Sequence, residues 1–329
     1  MSDSRTARTR AKRDGLKVAR RFSPLGYWYT ASAGAAFLCT GRFDINYFVR
    51  PPIVVNLWHG IPLKKIGNDD HVTSIPRWKK TAFRLFPQFA ELSGPVTVSS
   101  LIEAEVVASA FDIKASDAWI TGSPRNDKLM PRASREIRRI AYLPTHRGEG
   151  VGGFDPLSTL DYVSANKVLE RIGAELYIKK HFYHASDAAG VGGFPRIKFI
   201  TNDDIDSDLY NFLNTVDLLI TDYSSVYLDY LITGRPIVFA PFDIDDYMRS
   251  DREFNWPYED VTPGPHCGSW IEVFGQIEAL ASGEDHWLGA RASARALFHS
   301  HVDGGASERI YRATMEAISS VYGGGYGGS

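Results

Sequence analysis

The chain has 329 residues, 44% hydrophobic and 23% charged, with a formal net charge of −2. That length holds two domains with separate cores, and the composition is that of a soluble globular enzyme. No run approaches 18 apolar residues, which excludes a spanning helix. Two cysteines, Cys39 and Cys267, exclude a disulfide framework or a cysteine-rich metal site.

The charge is unevenly spread. Arg5, Arg8, Arg10, Lys12, Arg13, Lys17, Arg20 and Arg21 stand against Asp14 alone, a local +7 that leaves −9 on the rest of a chain of net −2. A basic arm on an acidic body argues against nucleic-acid binding, which calls for a basic domain surface. It suits attraction to an anionic membrane, at about 1 kcal/mol per basic residue near the surface, and a solvated tail fits the charge equally well. No apolar stretch follows to make it a secretory signal. Residues 1–22 are therefore expected to be a basic disordered leader, and the glycine-rich 323–329 a disordered tail.

Short apolar runs then alternate with helix-length segments. Strands are predicted at Ile53–Leu57, Val96–Val98, Ala118–Thr121, Ile140–Leu143, Glu175–Ile178, Ile197–Ile200, Val216–Ile220 and Ile237–Ala240. Helices are predicted at Ser100–Phe111, Leu157–Ile172, Ser207–Thr215, Leu288–Phe298 and Ala306–Tyr322. This alternation implies parallel sheets with helices on both faces. The polar stretch Lys128–Arg139 marks the expected boundary, giving domains 23–134 and 135–322.

Ligands in such folds bind beyond the carboxyl ends of strands. Those ends carry Trp58-His59-Gly60-Ile61-Pro62-Leu63-Lys64, Gly122-Ser123-Pro124-Arg125-Asn126-Asp127, Pro144-Thr145-His146-Arg147 and Lys179-Lys180-His181. Thr221-Asp222-Tyr223-Ser224-Ser225 places two serines at a strand-to-helix turn, where hydroxyls and free N–H groups favour an anion. Capping of the helix by Asp222 or Ser224 explains the same residues without a ligand. The recurrence of histidine, arginine and lysine at these ends points to a negatively charged ligand.

Other motifs carry less. Gly148-Glu149-Gly150-Val151-Gly152-Gly153 fits a dinucleotide fingerprint, yet the next strand ends in Lys179-Lys180-His181, not in a ribose-binding acid, so it reads as a flexible loop. Asp243-Ile244-Asp245-Asp246 reads as a turn or cap sooner than a metal site. His181-Phe182-Tyr183-His184 lacks further ligands at zinc spacing, and no P-loop is present.

Taken in order, with Arg252 to Pro265 and Asp303-Gly304-Gly305-Ala306-Ser307-Glu308-Arg309 added, these motifs resemble the CDP-glycerol glycerophosphotransferases of teichoic-acid and capsule synthesis. The resemblance runs from about Trp28 to Ile310. Isoleucine at 61 stands where the family usually has threonine, and Phe182 where proline is common. The resemblance implies an α/β, GT-B-like architecture of two doubly wound Rossmann-like domains facing a cleft, with nucleotide held on the C-terminal one. It implies transfer of glycerol phosphate from CDP-glycerol to a hydroxyl of a lipid-linked or polymer acceptor, releasing CMP.

In that reading His59 is the base, and His181 assists catalysis and binds donor. Thr145, Arg147, Lys179, Ser224, Ser225, Asp229 and Arg252 complete the donor site, while Gly60, Lys64, Arg125 and Asp127 serve the acceptor or the cleft. With so many cations no catalytic metal is required, and no cofactor is expected. The expected location is the cytoplasmic face of the membrane. A CDP-ribitol-dependent transferase, a nucleotide-sugar transferase and a CDP-alcohol-binding protein without turnover are the alternatives.

Overall fold

Strands rich in Val, Ile and Leu, separated by helices, assemble into two parallel sheets. The structure is a computed structural model that describes residues 5–40, 44–45, 49–70, 94–132, 136–145, 154–179, 193–202, 204–205, 208–250 and 253–323. It divides into two compact units: 1–60, 66–124 and 305–329 form the first, 61–65 and 125–304 the second. Among the described residues no helix is long and apolar enough to cross a membrane.

In the first unit, β1 (Ala35–Leu38), β2 (Ile53–Asn56), β3 (Val96–Val98) and β4 (Ala118–Ile120) pair in that order, all parallel. The helix Leu101–Phe111 starts where the Ser100 hydroxyl accepts from the Glu103 N–H, while the Glu103 carboxylate accepts from the Ser99 N–H at 2.5 Å. These reciprocal bonds satisfy donors that a helix start leaves unpaired. Ala104 and Val107 of this helix pack on Val96, Val98 and Trp58. The last helix, Ala306–Gly323, packs against β2.

The second unit has β5 (Arg139–Leu143), β6 (Glu175–Lys179), β7 (Ile197–Ile200), β8 (Leu218–Thr221) and β9 (Ile237–Phe239) in the order β7-β6-β5-β8-β9, again all parallel. The core joins Tyr142, Leu176, Ile178, Leu218, Ile220 and Val238 to Trp270 and Val273 of the helix Trp270–Ala281. Because β6 lies on one side of β5 and β8 on the other, the order reverses at the β5/β8 junction. In open α/β sheets that reversal marks where ligands bind.

All eight predicted strands form, to within two residues. Three features differ from expectation. Residues 5–13 of the leader are helical, because Ala, Arg and Lys are strong helix formers and Arg10, Lys12 and Arg13 complement its carboxyl end. A ninth strand, β1, comes from Ala35-Ala36-Phe37-Leu38, whose alanines carry little strand signal. Residues 125–134 group with the second unit, not the first, and 305–323 with the first, not the second. The glycine-rich stretch 148–153 and the segment 181–184 lie outside the described residues.

Candidate active site

At the carboxyl edge of the second unit's sheet, β5 and β8 meet in a hydrogen-bonded junction. Asp222, fully buried, accepts three bonds on Oδ1: from the Thr145 N–H at 2.7 Å, the Thr145 hydroxyl at 2.6 Å and the Tyr223 N–H at 2.6 Å. The Tyr258 hydroxyl donates to the Asp222 carbonyl at 2.9 Å, and the Thr221 hydroxyl to the Leu143 carbonyl at 2.8 Å. Asp222 therefore laces the two strand ends together. Thr145 has its hydroxyl proton committed to that carboxylate, which leaves its oxygen only an acceptor's role toward any other group.

Ser224 and Ser225, both half-buried, follow this junction. The helix they introduce, Val226–Tyr230, has only five residues, and Ser225 at its cap position makes no side-chain bond to it. A helix this short has a weak dipole. The two hydroxyls, rather than the helix end, are the polar resource of this turn. Lys179 closes β6 with its ammonium half-buried, and burial holds its pKa below the ordinary lysine value. His181, Arg147 and Arg252 lie outside the described residues.

Asp229 does not reach this edge. Its carboxylate is buried, bound by Arg125 (Nε to Oδ2 3.1 Å, Nη2 to Oδ1 3.2 Å), by Asn126 Nδ2 at 2.8 Å and by the Tyr210 hydroxyl at 2.8 Å. Burial alone would raise its pKa; Arg125 and the hydrogen bonds from Arg125 and Asn126 outweigh it, so the group stays anionic. Next to it His299 is buried and its pKa is pushed down, so a neutral ring donates Nε2–H to the Leu228 carbonyl at 2.7 Å. The acid expected at the donor site is thus paired inside the unit with Arg125, which is expected at the acceptor or the cleft. Asp127 is half-buried in the adjoining turn Pro124–Lys128.

In the first unit, His59 follows β2 with its side chain exposed. Trp58 before it has φ of 56°, a left-handed conformation that is costly for a bulky side chain. Trp58 is held there by burial and by an edge contact with Phe111 at 5.2 Å between ring centres. Its ring sits 4.4 Å from that of His59. Gly60 follows, half-buried. At the end of β4, Gly122 has φ of 80°, and a Cβ there would come within 3.2 Å of the Ala306 Cβ, which explains glycine in that motif.

The motif that starts at His59 is divided between the units, since residues 61–65, with Lys64, belong to the second. Tyr210 is a structural partner that the sequence does not announce, while Asn126 and Asn255 lie within motifs that do not show which groups they bind. Single polar residues in short turns carry no periodic signal.

Residues 4–316 match the family model described as CDP-glycerol:poly(glycerophosphate) glycerophosphotransferase. The chain belongs to this family. It is 28% identical over 307 residues to the teichoic acid poly(glycerol phosphate) polymerase of Staphylococcus epidermidis, covering 82% of this chain and 38% of that protein. Over 287 residues it is also 28% identical to the polymerase of the same name from Bacillus spizizenii, covering 79% of this chain and 69% of that one. Among solved structures, the wall teichoic acid polymerase TagF superposes with a TM-score of 0.73 at 22% identity, covering 93% of this chain and 78% of that chain. The fold is therefore of the expected α/β, GT-B-like class. The chain spans well under half the length of the S. epidermidis relative.

Proposed function

We propose that the protein is a glycerophosphotransferase that moves glycerol phosphate from CDP-glycerol to a hydroxyl of a teichoic-acid-type or capsule-type acceptor and releases CMP. The observation that carries this reading is the Ser224–Ser225 pair at the β5/β8 reversal, in a chain matched by the family over residues 4–316. In-line transfer needs the acceptor hydroxyl deprotonated, the phosphoryl group aligned and the charge on departing CMP neutralised. His59 takes the acceptor proton. Ser224, Ser225 and Lys179 hold the diphosphate, with His181, Arg147 and Arg252 supplying further charge. Asp229 and Asp222 hold the scaffold beneath them.

Incubating the protein with CDP-glycerol and a panel of lipid-linked acceptors, then sizing products and measuring CMP, tests the reaction. Turnover only with CDP-ribitol, or only with UDP-sugars, would replace the donor. CDP-glycerol binding without CMP release under any acceptor would leave a binding protein.

Ser224→Ala and His181→Ala are each expected to weaken CDP-glycerol binding by about tenfold, the loss of one charge-assisted hydrogen bond of ~1.5 kcal/mol. Calorimetry showing unchanged affinity in both would move the donor elsewhere.

The acceptor class sits on membranes, so the basic leader is proposed to hold the enzyme to the cytoplasmic leaflet. Binding to vesicles containing anionic lipid should fall as salt rises. Deleting residues 1–21 should lower it while sparing turnover on a soluble acceptor analogue. Full-length protein that ignores such vesicles at low salt would reduce the leader to a tail.

A further inference from the structure

Lys64, a few residues after His59, reads as an acceptor or cleft residue, and it is built into the second unit. The strap 61–65 lies along 253–255: the Asn255 N–H donates to the Leu63 carbonyl at 2.9 Å and the Lys65 N–H to the Glu253 carbonyl at 2.8 Å. Lys64 and Phe254 form an antiparallel bridge. Asn255 Nδ2 adds bonds to the Pro62 carbonyl at 2.7 Å and the Lys64 carbonyl at 3.0 Å, and Lys65 pairs with Glu253. One asparagine thus clamps three consecutive residues, Pro62 to Lys64. Such a clamp fixes where the Lys64 side chain starts.

That side chain ends over an aromatic ring. Lys64 Nζ lies 4.5 Å from the centre of Tyr247, and Tyr247 stacks on Tyr223 with ring centres 3.9 Å apart and planes 16° from parallel. Tyr223 is buried, its hydroxyl donates to Asp243 Oδ1 at 3.1 Å, and it directly precedes Ser224. The Lys64 ammonium therefore sits on the first of two stacked rings, the second of which belongs to the residue that precedes Ser224. A cation seated on a ring face has less freedom to lose when it binds an anion, and a lysine is a compact point charge suited to phosphate.

We propose that Lys64 is a donor-site residue that contacts the diphosphate of the nucleotide donor, with Asn255 and Tyr247 as its positioning residues. The proposal rests on the donor reading above, and it assigns Lys64 to the phosphates instead of the acceptor. A singly charged contact to the second phosphoryl group would make Lys64 matter for nucleoside diphosphates and not for monophosphates.

The test measures binding of CDP-glycerol, CDP, CMP and inorganic pyrophosphate to the full-length protein and to Lys64→Gln, Lys64→Arg and Asn255→Ala by calorimetry. Lys64→Gln should lose at least ~10-fold in affinity for CDP-glycerol, CDP and pyrophosphate, with CMP unchanged and Lys64→Arg largely restoring the loss. Asn255→Ala should show the same pattern more weakly. Equal loss for CMP and CDP, or no loss for any of the diphosphates, would overturn the proposal. Wild-type protein that binds pyrophosphate but not CDP-glycerol would overturn the cytidine reading, while the Lys64→Gln loss for pyrophosphate would still uphold the diphosphate contact.

Discussion

His59→Ala should lower turnover at least ~100-fold, as expected for loss of a general base worth about 10²–10⁴ in rate. CDP-glycerol affinity and thermal stability should change little, because the ring is exposed and the fold holds Trp58, not His59, in its core. The conformation of Trp58 motivates the role. A buried tryptophan at φ of 56° stores strain, and such strain persists where a neighbouring group must be aimed. The measurement is single-turnover CMP release beside calorimetric donor affinity. A variant with unchanged CMP release would remove His59 from the chemistry. One with weakened donor binding and normal release of bound donor would make it a binding residue.

Asp229→Asn should destabilise the second unit by about 3 kcal/mol, the low end of what breaking a buried ion pair costs. The low end applies because the Arg125 side chain is 18% exposed against 3% for Asp229, so water reaches the abandoned guanidinium. In a unit of this size that corresponds to a melting shift of roughly 6–12 °C. Arg125→Met alone should also destabilise, since it strands the carboxylate in a desolvated site. The double variant should lose less than the two single losses added, the mark of a direct interaction. Additive losses would show the pair to be independent. Unchanged stability in Asp229→Asn, together with weakened donor binding, would return Asp229 to the ligand site.

Much of the architecture is legible in the amino-acid sequence. Val216 to Ile220 and Ile140 to Leu143 are continuous apolar runs, which buried parallel strands require, and both form central strands. The residues just past them lie at the carboxyl edge of the sheet, because that follows from chain direction. Which of those residues face outward is not legible. Asp229 lies one helical turn beyond Ser225 and reads as accessible, but its burial depends on Arg125 and Tyr210, at separations of 104 and 19 residues. Asp222 reads as one of two candidate caps; its lacing to Thr145 spans 77 residues and has no local pattern. β1 escapes a sequence reading because Ala35-Ala36 forms a strand through pairing with Ile53 and Val54, not through its own propensity.

The division of the chain has a consequence for how the protein is made. Residues 125–304, nearly all of the second unit, leave the ribosome as one uninterrupted stretch, and only 61–65 must already be waiting. That unit is thus nearly contiguous in the chain. The first unit is not: its helix Ala306–Gly323 is the last described element synthesised, although it packs against β2, which starts at Ile53. Until then β2 has an uncovered apolar flank, and N-terminal-first folding during synthesis is broken by design. A stalled or prematurely terminated chain would expose that flank, and it is where a chaperone would be expected to bind the nascent protein.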